Sequence, residues 1–471
     1  MKRRDFLSTV GAGAGVIALE LGGTSAASAT ASERALRLVP ARRADDLCRN
    51  YLINTKIFHA DSVYRHTGAV VDLLEELGVR VIRERITTGS SQGTQNQLRA
   101  MPHLARQGIT WHGTVGTLSD WRHAQRANRQ VMDFLTSHYA PRMNGDLGEL
   151  MHSFGGCNEV DGPQRHGRRD KHWARHARRM QKALWEQAKD NRHTRDIPVA
   201  GPSTRTDFTA RRAEHLGDLS RWSELGNAHL YNKGTSPTRG LRDHLKIMRR
   251  CFPGTGRFLF TETGYNNSPQ TNANATVPEF ASAIYGVRGI FDYFQRNAMY
   301  GRFELLDDPD RIDHRTQRRI NATADIQAHF GLVAMTRGSV RDSTPDTWRK
   351  KPEFYAMKRL LRVLSDHGHS FTPRPLRMAL HGGGRDVHHV LLQKRDGRHY
   401  LAVWRDVKVS EGFPHGRELR VDAVRIRVRL AHARPIRLWN PNTSSEPVGH
   451  HSATNDFNIW LRGELKLVEI G

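Results

Sequence analysis

Cysteine is scarce in this chain: there are three in 471 residues, Cys48, Cys157 and Cys251. Three thiols form at most one bridge, so no disulfide framework holds the fold. Metal-type spacings are missing too. The 26 histidines make no HExxH and no Cys-His array, and neither a metal nor another cofactor is expected. No run outside the N-terminal stretch is apolar for long enough to cross a bilayer, so no membrane span is expected. Acidic residues are in deficit, 48 against 73 Lys plus Arg, for a formal net charge of +25. Long-range fields draw so basic a protein to polyanions. No zinc finger, aromatic-rich RNA motif or recognition-helix pattern accompanies the charge. Nucleic acid is therefore not expected as a partner, whereas anionic cell-wall polymers or an acidic polysaccharide are.

What is present begins with a targeting pattern. The start, MKRRDFLSTVGAGAGVIALELGGTSAASA, carries Arg3-Arg4, then Phe6-Leu7, a short Gly-rich apolar run and Ala27-Ser28-Ala29. It reads as a twin-arginine export signal over residues 1–29, with the mature chain starting near Thr30. GAGAGV lacks the preceding strand that a glycine-rich nucleotide loop requires. The mature protein is expected to be secreted or associated with the cell wall.

From residue 52 onward, strand and helix periodicities alternate. Strands are expected around Lys56-Ile57-Phe58, then at 79–85, 109–115, the run ending at Glu159, 197–200, 225–231, 258–261 and 303–306. Helical faces lie between them: Val70 to Leu77 ended by Gly78, Leu98 to Leu104, Trp173 to Ala188, Phe280 to Phe294 and Phe354 to Leu364. Eight strands alternating with helices fit an α/β fold of the (β/α)8 TIM-barrel type, expected over residues 30–372. After about Thr372 the helical period stops. VHHVLLQ and HYLAVWR flank Arg395-Asp396-Gly397 as a hairpin, and further alternating runs follow. A small all-β sandwich is expected over residues 373–471.

In such barrels, chemistry sits at the C-terminal ends of the strands. LGELMHSFGGCNEVDGP ends an apolar run with Asn158 and Glu159, and RFLFTETG ends another with Glu262. Two carboxylates on two strand ends can flank one scissile bond. One protonates a leaving oxygen while the other attacks or activates water, as glycosidic cleavage requires.

These residues resemble a family. Asn158-Glu159, His229-Leu230-Tyr231 and Thr261-Glu262-Thr263-Gly264, each after a strand, are similar to the motifs of clan A retaining glycoside hydrolases. Phe303-Glu304-Leu305-Leu306-Asp307, His329-Phe330-Gly331-Leu332 and Lys351-Pro352-Glu353-Phe354-Tyr355 look like those of secreted, cellulase-like members, in which a β-sandwich follows the barrel. The resemblance covers most of residues 52–471. It implies Glu159 as general acid/base and Glu262 as nucleophile in a double displacement on an oligo- or polysaccharide. It implies Asn158 on the sugar 2-hydroxyl, Tyr231 and Arg83 holding Glu262 ionised, and His229 lining the pocket. Trp111 and His112 on the third strand, and Glu304 on the eighth, are further candidates for sugar contacts. Val160 and Cys157 depart from the proline and the small residue usual beside the Asn-Glu pair, and the eighth strand offers no tryptophan platform. A carbohydrate or cell-wall binder on the same scaffold would not need both carboxylates.

Overall fold

The alternation is realised as a closed parallel barrel in a computed structural model that describes residues 35–163, 169–268, 276–309, 312–313, 318–319, 328–337, 339–411 and 416–471. The twin-arginine stretch lies outside the described residues. The barrel strands are β1 Tyr51–Asn54, β2 Val81–Arg85, β3 Thr110–Thr114, β4 Met151–Gly155, β5 Val199–Ala200, β6 Gly226–Leu230, β7 Phe258–Thr263 and β8 Ala298–Arg302. They pair in the order β5-β4-β3-β2-β1-β8-β7-β6. A parallel bridge between Ala200 and Leu225 closes the ring.

Three strands differ from the sequence expectation. The first is Tyr51–Asn54, not the stretch around Lys56-Ile57-Phe58. The fourth ends at Gly155, not at Glu159. The last is Ala298–Arg302, not 303–306. The residues beyond these strand ends follow as loops on the C-terminal rim. The helices Thr67–Leu77, Gln92–Arg106, Trp173–Asp190, Glu279–Phe294 and Pro352–Leu364 stand where their periodicity put them. Gly78 ends the first with φ 73°, the left-handed conformation that glycine adopts without penalty. Helices at Ala124–Phe134, Ala210–Leu216 and Leu241–Cys251 complete the outer layer.

The C-terminal part is an all-β domain built on one eight-stranded, mostly antiparallel sheet. Its long strand Val424–Trp439 pairs first with Leu376–His381 and later with Lys466–Ile470, and its register shifts between Arg429 and Ile436. Such irregularities let one strand pass between two packed layers. Leu391, Leu401, Val403, Ile426, Val428, Ile459, Val468 and Ile470 fill the space between the layers. Alternate residues on the same strands, Leu392, Tyr400, Ala402, Trp404 and Leu467, face the other way and join the barrel core. Residues 37–39 and 42–43, within the span 30–372 expected for the barrel, pair with this sheet, against 376–378 and 392–393. The lead-in therefore belongs to the all-β domain by hydrogen bonding. The three cysteines are buried and free. Among the described residues no helix is long and apolar enough to cross a membrane.

Candidate active site

A pleated strand sends alternate side chains into the barrel interior. The lower inward layer is apolar: Leu52, Val81, Ala200, Leu259 and Met299 pack together with Leu225. Two residues further along β1, β2 and β7 the inward positions become polar, as Asn54, Arg83 and Thr261. Arg83 Nη1 donates to Asn54 Oδ1 at 2.8 Å, Asn54 Nδ2 to the Thr261 carbonyl at 2.8 Å, and Thr261 Oγ1 to Asn227 Oδ1 at 2.8 Å. This chain of hydrogen bonds forms a floor under the C-terminal mouth.

A bulge delivers Glu262 to the mouth. Ala228 faces Phe260 across β6 and β7, but the next residue, His229, faces Glu262. On the other side, Tyr300 faces Phe260 and Arg302 faces Thr263. β7 thus carries one extra residue, and both Thr261 and Glu262 turn inward. Bulges recur beside active sites because they re-aim a side chain in this way.

Glu159 is placed differently. β4 ends at Gly155, where a Cβ would meet His112 Nε2 at 2.6 Å. The chain then turns, and Glu159 has φ 43°, a left-handed conformation that L side chains rarely adopt. Ser203, just past β5, holds it there. The Glu159 N–H donates to Ser203 Oγ at 2.9 Å, and the Val160 N–H to the Ser203 carbonyl at 3.1 Å.

The two carboxylates meet over His229. Its Nδ1 lies 3.0 Å from Glu159 Oε1 and 3.3 Å from Glu262 Oε2. One oxygen of each carboxylate and a ring nitrogen of His229 all lie within 4.8 Å of one another. Arg83 Nη1 donates to Glu262 Oε1 at 2.6 Å, and the Tyr231 hydroxyl to Glu262 Oε2 at 2.8 Å. Arg83 Nη2 also donates to Asn158 Oδ1, which accepts from Ser203 Oγ at 3.2 Å as well. With its carbonyl oxygen engaged twice, exposed Asn158 has its amide N–H groups to offer a ligand.

The two acids stand in different surroundings. The Glu159 side chain is 33% exposed and that of Glu262 12%. Burial pushes the Glu262 carboxyl up, but the charges of His229 and Arg83, with hydrogen bonds from Arg83 and Tyr231, outweigh it and hold the group below its ordinary value. Burial, followed by the charge of Glu262, drives the Tyr231 hydroxyl well above its usual range, so it stays a neutral donor. His112 is held well below the usual histidine range by burial and then by Arg83, its partner across β2 and β3, and remains neutral.

Arg83, Asn158, Glu159, His229, Tyr231 and Glu262 are therefore brought into one constellation. His112 lies just beneath it, fully buried, with Nδ1 2.8 Å from Ser153 Oγ. Trp111 is not there. It is 1% exposed, donates from Nε1 to the Glu84 carbonyl at 3.0 Å and packs edge-on to Tyr139 in the helix layer. The pleat explains this, since neighbours on a strand face opposite sides. Glu304 is not at the carboxylate pair either. Its oxygens accept from Lys56 at 3.0 Å and Tyr64 at 3.3 Å, and burial pushes its carboxyl up to about 7. Ser203 and Asn54 carry no mark in the sequence. Their roles depend on partners in other strands, which no local pattern displays.

Glu159, His229 and Glu262 also offer the donor types of a three-ligand metal site. Both oxygens of Glu262 already accept, one of them from a guanidinium 2.6 Å away. That fixed positive charge opposes a divalent cation, so the group fits a metal poorly.

A parallel (β/α)8 barrel joined to an antiparallel all-β domain, with two carboxylates on its C-terminal rim, is the class of protein these observations define. No family model matches the chain, and no curated protein matches it in sequence. Solved structures share its fold. A monomeric β-xylosidase from Caulobacter crescentus CB15 is 16% identical, with 93% of this chain and 99% of that one covered and a TM-score of 0.56. A glucosidase from Croceicoccus marinus is 10% identical, covering 85% and 91%, at 0.54. A β-porphyranase of glycoside hydrolase family 86 from Bacteroides plebeius is 11% identical, covering 93% and 76%, at 0.50. The chain has the barrel-plus-β-domain fold of these enzymes.

Proposed function

We propose that the chain is a retaining glycoside hydrolase that cleaves O-glycosidic bonds in an oligo- or polysaccharide, with Glu262 as nucleophile and Glu159 as acid/base. One observation carries the reading. Two carboxylates from β7 and the loop after β4 stand within 4.8 Å of each other at their nearest oxygens, over one shared imidazole. Retaining pairs stand roughly 5–5.5 Å apart, whereas inverting pairs stand roughly 6.5–9.5 Å apart to admit a water. The fold shared with a xylosidase, a glucosidase and a porphyranase supports the same chemistry.

In this reading Glu262 attacks the anomeric carbon while Glu159 gives a proton to the leaving oxygen. A glycosyl-enzyme ester forms on Glu262. Glu159, now ionised, takes a proton from water as that water attacks, and the sugar leaves with its original anomeric configuration. Arg83 and Tyr231 keep Glu262 charged and fix its orientation, and Asn158 offers its amide to the 2-hydroxyl. Export through the twin-arginine leader is part of the proposal, and secretion abolished by Arg3→Lys with Arg4→Lys would support it.

Proton NMR of the first anomer released from an aryl glycoside tests the mechanism, and retention is expected. Glu262→Ala should lose turnover while melting as the wild type does. Glu159→Ala should stall after the first step on substrates with good leaving groups and recover with azide. First release of the inverted anomer, or a fully active Glu262→Ala, would overturn the assignment.

A further inference from the structure

The strands Val424–Trp439 and Gly449–Leu461 pair side by side, and their alternation sorts the side chains. Ile426, Val428, Leu430, Phe457, Ile459 and Leu461 enter the core of the all-β domain. The opposite face carries Arg425, Arg427 and Arg429, with Trp460, Asn458 and Asp456 directly across from them. The neighbouring strand continues this face: Ala379 stands opposite Arg429, and exposed Arg377 lies two residues along. Trp460 is 59% exposed. Asp456 is the acid on these paired positions, and Arg427 holds it in an ion pair. Arg425 therefore stands directly across from the open indole, with Arg427 and Arg429 two and four residues further along the same strand and the one anion among them neutralised.

We propose that this face is a second, non-catalytic binding surface, and that its ligand is an acidic polysaccharide bearing carboxylates or sulfates on its rings. The flat indole of Trp460 takes the apolar face of one sugar. Arg425, directly opposite, meets the acidic substituent, and a guanidinium pairs with a carboxylate or sulfate through two parallel hydrogen bonds. Arginines two residues apart on a strand repeat at about 6.6 Å, which suits a polymer with regularly spaced charges. The Asn458 amide serves the hydroxyls between. A second copy of the chain is a poor occupant, because each copy carries a formal charge of +25. The choice of a glycan over another polyanion rests on the proposed activity, so binding is best read without turnover.

Affinity electrophoresis of the full chain carrying Glu262→Gln, through gels containing polygalacturonate, dextran sulfate or neutral dextran, tests the proposal. Retardation is expected in at least one acidic gel and not in the neutral one. Adding Trp460→Ala or Arg425→Ala should weaken it, each by roughly tenfold. In the otherwise wild-type chain, the same two substitutions should leave melting and hydrolysis of a small aryl glycoside unchanged. Retardation that ignores both substitutions would overturn the proposal. So would equal, equally sensitive binding of single-stranded DNA, or a dimer in sedimentation that Trp460→Ala dissolves. A chain that binds as described yet cleaves no glycoside would leave this surface standing and remove the proposed activity.

Discussion

Arg83, together with His229, holds the Glu262 carboxyl charged. Its guanidinium reaches Asn54, Glu262 and Asn158 at once, so it fixes two site residues against the barrel floor. Removing it takes away a charge and a hydrogen bond that hold the Glu262 carboxyl down, while the burial that pushes it up remains. The Glu262 pKa must then rise, and the acid limb of kcat/KM should move to higher pH in Arg83→Ala. Tyr231→Phe should move it the same way by less. A pH–rate profile on an aryl glycoside checks both, and an acid limb that stays put in Arg83→Ala would show that another group sets the charge of Glu262. Much of this constellation was legible in the sequence, because Asn158-Glu159, His229-Leu230-Tyr231 and Thr261-Glu262 each lie at or just past a strand end. Trp111 and His112 show what was not used: without a bulge between them, adjacent residues on one strand face opposite sides. Ser203 had no local signal at all, since its role is to hold a left-handed turn 44 residues earlier.

At the scale of elements, β1 and β8 were displaced for a physical reason. β8 ends in Arg302, a residue that breaks an apolar run, yet Arg302 is fully buried and paired with Glu353 at 2.8 and 2.9 Å. That partner lies on the last barrel helix, so nothing near Arg302 in sequence announces it. The helix Glu279–Phe294 was legible, and it also held an unused clue. It is buried on every side from Ala281 to Phe294, and a helix buried all round must be covered on both faces. The cover is the all-β domain, and Asp292 sits in the seam, accepting from Trp404 Nε1 at 3.1 Å. Burial, opposed by Arg288, pushes its carboxyl up to about 7. Between pH 4 and 7 the folded carboxyl stays protonated while the unfolded one ionises. The stability linked to it is therefore full below pH 4 and is lost as pH rises through 7. Asp292→Asn imitates the protonated form. It should remove a pH-dependent loss on the order of 2–4 kcal/mol, seen as a flatter dependence of Tm between pH 5 and 8. A variant whose Tm falls across that range as steeply as the wild type would show that Asp292 is not the group responsible.

At the scale of the whole molecule, the seam ties the all-β domain to the element that connects β7, which bears Glu262, to β8. Trp404 is fully buried and packs on Phe291 with ring centroids 5.5 Å apart. Arg288, also fully buried, donates to the Val407 carbonyl at 2.9 Å. The lead-in adds Arg42, whose guanidinium lies 3.3 Å over the Phe294 ring and donates to the Phe294 carbonyl at 2.7 Å. Contacts this buried couple the two parts, so barrel and β domain should unfold in one step. Trp404→Ala leaves a cavity against Phe291 and strips Asp292 of its donor, and should cost about 3–5 kcal/mol. Activity and intrinsic fluorescence followed together through a urea titration would show one shared midpoint in the wild type and one shared, lower midpoint in Trp404→Ala. If activity kept its midpoint while fluorescence reported an earlier transition, the β domain would be melting by itself. The barrel would then owe the position of Glu262 to its own packing, and the seam would be an attachment rather than a support.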